Sequence, residues 1–148
     1  MTKTMIFGAL AALLAGVAIY ITQTDPDRQT SKNQAGTPQG AAMVTVTLPE
    51  TLSHKAQMGQ RAFETACAEC HGKNAAGKTG NGPPLIHRIY EPSHPGDLAF
   101  HLAVQNGVCA HHWKFGNMPM PAQDGLTPSD VNTIVAYVRE VQQANGIN

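Results

Sequence analysis

The tightest constraint in this sequence is a five-residue run, Cys67-Ala68-Glu69-Cys70-His71. Two cysteines three positions apart share one helical turn, so both thiols can add to the vinyl groups of one porphyrin. The next residue, His71, then offers its imidazole to the metal. That spacing is the one used for c-type haem attachment. Other uses fit less well. A thioredoxin-like redox pair wants a βαβ setting, which the pattern of this chain lacks. A structural zinc site needs four ligands, and the one cysteine outside the motif is Cys109. A disulfide across two residues would leave His71 without a role. A prosthetic group of this size also bounds the fold, because a small loop-rich domain gains a core by packing around it.

The 148 residues include 14 Gly and 10 Pro, with 14% charged side chains, which suits one small domain plus extra sequence. From Met43 onward, 7 Lys and Arg face 8 Asp and Glu. There is no basic patch, so nucleic acid is not an expected partner, and docking would depend on local charge asymmetry. Behind Lys3, the 17 residues Met5 to Ile21 (MIFGALAALLAGVAIYI) form an apolar run. As a helix it rises roughly 25 Å, at the short end for a ~30 Å hydrocarbon core. A cleaved signal peptide is the rival reading, but its best cleavage pattern, Gly16-Val17-Ala18, is poor. We therefore expect a membrane anchor or signal at 1–21, with Lys3 on the cytoplasmic side and the rest exported. Thr22 to Ala42 carry almost no large apolar side chains, and Met43 to Leu48 alternate like an extended lead-in without a partner strand. Residues 22–48 read as a flexible linker and 49–148 as the folded domain.

Within that domain the pattern predicts an all-α fold of about three helices and long loops. Ser53 can cap a helix to about Ala66, with Ala56, Gly59, Ala62, Phe63 and Ala66 near one face. Glycines and prolines punctuate Gly72 to Pro84. A second helix is expected from Asp97 to Asn106, stopped by Gly107. The last begins with Thr127 as N-cap, Pro128 in the first turn and Asp130 at its positive end, followed by the stripe Val131, Ile134, Val135, Val138 and Val141.

Ahead of that helix lies Phe115-Gly116-Asn117-Met118-Pro119-Met120-Pro121. Proline after methionine stiffens the chain, which helps hold a thioether on iron. A second axial ligand would raise the potential and close the iron to oxygen, favouring electron transfer over catalysis. A lone methionine is more often core filler, but the Met-Pro pairs sit where a ligand loop belongs.

From about Gly59 to Tyr137 the chain resembles class I c-type cytochromes, monohaem electron carriers. The resemblance rests on Gly59 and Phe63, the Cys67-to-Gly72 motif, Gly82-Pro83-Pro84-Leu85, the Met-Pro loop and Tyr137. It implies that Gly59, Phe63 and Tyr137 meet where the first and last helices cross. It implies that the Pro83 carbonyl accepts a hydrogen bond from His71, the usual support for a metal-bound histidine. It also implies one covalent haem c on Cys67 and Cys70, with His71 and a methionine as iron ligands, and Leu85 on the haem edge. Relatives with Gly-Asn-Met-Pro favour Met118, and those with Pro-Met-Pro-Pro favour Met120. The Phe115-to-Pro119 context matches the first form better. Trp113 would donate its indole N–H to a haem propionate, or else pack in the core.

Of the remaining residues, His111 and His112 could serve a propionate or replace methionine, or lie at the surface. His54, His87, His94 and His101 show no partner pattern. Cys109 reads as a buried free thiol. The leading expectation is a monomeric one-electron carrier rather than an enzyme, tethered on the periplasmic side of a bacterial inner membrane, or soluble in the periplasm if the N-terminal segment is removed. Its partners would be transient redox proteins. The alternatives are a haem subunit of a larger oxidoreductase complex, and a haem enzyme or gas sensor with an open sixth site.

Overall fold

The computed structural model describes residues 38–148, except Pro95 and Trp113. The expected anchor or signal, the linker up to residue 37, and Trp113 lie outside the described residues. Four α-helices are described: α1 (His54–Ala66), α2 (Ala68–His71), α3 (Gly96–Asn106) and α4 (Pro128–Ala144), with 3₁₀ turns at Lys73–Ala75 and Arg88–Tyr90. Among the described residues there is no strand, only two isolated bridges, Lys78 with Gly82 and Val108 with Met120. The all-α expectation holds. The fourth helix is the single turn carrying the cysteine motif.

The ends of the helices follow from local chemistry. Ser53 Oγ accepts the Ala56 N–H at 3.2 Å, satisfying one of the free donors of α1. The same serine donates its N–H and its hydroxyl to the Glu140 carboxylate, at 2.9 and 2.6 Å, so the start of α1 is tied to α4. At α4, Thr127 and Asp130 form a reciprocal capping box, with Asp130 N–H on Thr127 Oγ1 and Thr127 N–H on Asp130 Oδ2. Helix α3 ends at Gly107, whose φ of 70° and N–H bond to the Ala103 carbonyl form the left-handed stop.

The core lies where α1 crosses α4. A Cβ on Gly59 would sit 1.8 Å from the Thr133 carbonyl oxygen, so the two backbones touch there. One turn on, Phe63 and Tyr137 meet with ring centroids 5.6 Å apart, both fully buried. The α4 stripe read from sequence, Val131, Ile134, Val135, Val138 and Val141, is buried throughout.

Residues 38–48, which the sequence reading assigned to the linker, lie along the domain. Gly40 N–H donates to the Thr79 carbonyl at 2.9 Å and Val44 N–H to Ala76 at 3.1 Å. The Asn145 side chain brackets Thr47, donating to its carbonyl at 2.7 Å and accepting from its N–H at 2.9 Å. Val46 also packs against the core, and the backbone bonds that hold the rest of the segment leave no trace in hydrophobic periodicity. Among the described residues no helix is long and apolar enough to cross a membrane.

Gly59→Ala should cost about 3 kcal/mol or more in denaturant unfolding of the haem-loaded protein, because neither backbone can yield without separating the helices. The Asp130 carboxyl is held below its ordinary range, first by the Thr127 hydroxyl and then by the Thr127 N–H. A depressed folded pKa adds stability above the unfolded value and loses it as pH falls through the folded one. Below roughly pH 4 the wild type should therefore lose stability more steeply than Asp130→Asn, measured by chemical denaturation at successive pH values.

Candidate functional site

Helix α1 stops one residue before the motif. Cys67 N–H donates to the Phe63 carbonyl at 2.8 Å, while the Cys67 carbonyl accepts from His71 N–H at 2.9 Å and starts the short helix α2. Gly72, at φ 72°, then breaks it. The chain folds back through Gly77, whose N–H donates to the His71 carbonyl at 2.8 Å, and through Gly82, packed so closely on Cys70 that an added Cβ would lie 2.7 Å from its carbonyl oxygen. Glycine is required at that close approach.

This return brings the Pro83 carbonyl 2.9 Å from His71 Nδ1. A carbonyl only accepts, so the proton sits on Nδ1 and the lone pair on Nε2. Burial lowers the His71 pKa, with the Pro83 bond opposing, and the ring is a neutral imidazole ready to ligate.

Cys67, Cys70 and His71 share one cavity of about 400 Å³ with Met118 and Met120. Phe63, Leu85, Phe100, Val104 and Ile134 are among its apolar lining residues. His111 also lines it, with Nδ1 3.0 Å from the Cys109 carbonyl. The sequence-predicted Cys67, Cys70, His71, Pro83, Leu85 and Met118 are thus brought to one place. Burial, with Cys70 beside it, pushes the Cys67 thiol up to about 11, so it stays protonated at neutral pH. Among the described residues no three His, Cys, Asp or Glu side chains converge as a metal cluster. Two thiols on one turn, a tautomer-fixed imidazole and thioethers around an apolar cavity fit a covalently attached haem.

The profile of the cytochrome c family matches residues 56–142. This chain belongs to the cytochrome c family. It is a haem c protein of electron transfer, as its class I resemblance implied. Over 98 residues it is 30% identical to a Cbb3-type cytochrome c oxidase subunit CcoP of Cereibacter sphaeroides. That alignment covers 63% of this chain and 33% of the subunit, so the chain spans about a third of that relative's length.

Two residues of this cytochrome were missed in the sequence. Gln142, 1% exposed, donates Nε2 to the Leu85 carbonyl at 2.8 Å and to the Tyr90 carbonyl at 3.0 Å. Arg139 donates to Gln142 Oε1 at 2.6 Å, pairs with Asp97 of α3 at 2.8 Å and lies 5.2 Å over the Phe100 ring. Together they hold two walls of the cavity onto α4. The available signal was a glutamine four residues beyond Val138, continuing the buried stripe. His87 and His101, which showed no partner in sequence, have them: Lys114 and Asn132, each at 3.0 Å. Cys109 was expected to be buried and is exposed, because it follows the bridge residue Val108 onto an outward loop.

Gln142→Ala would leave the Leu85 carbonyl without its side-chain donor and the Tyr90 carbonyl with Arg139 alone. It should lower stability by about 2–3 kcal/mol in denaturant titration, more than a surface glutamine change.

Proposed function

We propose that this chain is a monohaem, one-electron carrier with His71 and Met118 as axial ligands. The reading is carried by His71, whose Nδ1 is tied to Pro83 and whose cavity is shared with the Met-Pro loop. Haem c, when bound, supplies a ferrous–ferric couple. The protein's own residues do the rest. Cys67 and Cys70 would tether the ring through thioethers. The Pro83 carbonyl fixes the imidazole's tautomer and orientation. Leu85, on the cavity wall, would pack on the ring, and Trp113 would donate to a propionate if the family resemblance carries over to it. A methionine on the sixth position, within an apolar cavity, would keep the site to outer-sphere electron transfer rather than catalysis. The domain acts as a monomer on the periplasmic side of the bacterial inner membrane, held by Met5 to Ile21 or released if that segment is cleaved, and docks transiently on redox proteins.

A second reading has one specific support, the similarity to an oxidase subunit. In it the domain is the haem c module of a larger oxidoreductase complex. Detergent extraction and purification separate the two readings, since only the second expects stoichiometric partner chains.

The ligand set is tested in the haem-loaded protein. Met118→Ala should abolish the methionine–iron charge-transfer absorption and let the reduced form bind carbon monoxide, while Met120→Ala should change neither. Loss of the band in the Met120 variant alone assigns the ligand to Met120. Carbon monoxide binding by the unaltered protein supports an open-site enzyme or sensor instead.

A further inference from the structure

The loop from Cys109 to Pro119 carries the proposed sixth ligand, and its contacts among the described residues include one at its base and one on its outer arm. Its base is closed by the bridge between Val108 and Met120, whose two N–H···O=C bonds are 2.8 and 2.9 Å. Its outer arm reaches across to the segment that follows Leu85. There Lys114 Nζ lies 3.0 Å from His87 Nε2, and the Phe115 ring stands edge-on to the imidazole at 5.0 Å and 83°. The Lys114 ammonium also sits 4.9 Å from the centre of the Phe115 ring. His87 is half-buried at the start of the Arg88–Tyr90 turn.

We propose that His87 is a positioning residue that clamps the ligand loop, accepting a hydrogen bond from Lys114 and seating Phe115, so that the loop methionine stays on the iron. This rests on the reading that a methionine of the loop completes the coordination. The chemistry of the contact is specific. An ammonium only donates, so the bond needs a lone pair on Nε2. A neutral imidazole carries one ring lone pair, on Nε2 or on Nδ1, and the Ile89 amide, 3.1 Å from Nδ1, favours the tautomer opposite to the one Lys114 needs. The charged donor is the stronger of the two. Burial and the neighbouring Lys114 lower the His87 pKa, which keeps the accepting form present. A thioether is a weak, neutral ligand, and its occupancy depends on how little ordering entropy the loop must lose to present it. Holding the outer arm reduces that loss without touching the iron.

The test uses the ferric, haem-loaded protein titrated with imidazole, following displacement of the methionine charge-transfer band. Freeing the loop should make His87→Ala bind imidazole about threefold to tenfold more tightly than wild type. His87→Gln, whose amide oxygen can accept from Lys114, should stay within about twofold. His101→Ala, which removes a hydrogen bond between α3 and α4, should leave the affinity unchanged. Equal affinities for wild type and His87→Ala overturn the clamp while leaving methionine ligation standing. A His87→Gln protein that behaves like His87→Ala, or an equal shift in His101→Ala, also overturns it. A wild type without the methionine band overturns the ligation reading and the clamp with it.

Discussion

The contact between Gly59 and Thr133 governs the rest of the molecule. Backbones approach this closely only where one helix presents no side chain, and a crossing at that point fixes the position of α4 beneath α1. The contact also places Phe63 against Tyr137, a tilted aromatic pair worth roughly 0.5–1.5 kcal/mol beyond the area it buries. It has a cost as well. The Tyr137 hydroxyl is buried with no hydrogen-bond partner among the described residues, and burial, with Glu64 nearby, pushes its pKa up to about 12. Because α1 leads into Cys67, the crossing also sets where the attachment motif points. Fold and site therefore share one constraint.

From that crossing the cavity is built outward by polar contacts more than by the stripe of valines. Arg139 and Gln142 take the carbonyls of Leu85 and Tyr90 and the carboxylate of Asp97, so the loop wall and α3 are both fastened to α4. Such groups stabilise only when fully satisfied, since a buried carbonyl without a donor loses its solvation with no return. The glycine-rich return after His71 does the equivalent work on the other side. It places one backbone oxygen where it selects the histidine tautomer that metal ligation requires.

Much of this was legible in the chain. Caps at Ser53 and Thr127, the stop at Gly107 and the α4 stripe depend on residues a few positions apart, and the structure has them where the local patterns placed them. The attachment motif was legible for the same reason. The packing of 38–48 along the domain, the exposure of Cys109 and the partners of His87 and Gln142 were not. Each depends on a residue distant in sequence, such as Asn145 with Thr47 or Gln142 with Leu85, and no periodicity encodes such pairs.

By itself, then, the sequence determined that a porphyrin could be bound at Cys67 and Cys70, that helices would flank it, and that His71 and a methionine loop were the candidate ligands. Covalent spacing and helical period are local properties that a linear chain carries in full. Only the tertiary structure brings the Pro83 carbonyl to His71 Nδ1, puts the Met-Pro loop into the lining of the same cavity, and makes Arg139 and Gln142 brace its walls. Those outcomes require the chain to return to the same place from far along its length, and that return is set by the packing of α1 on α4.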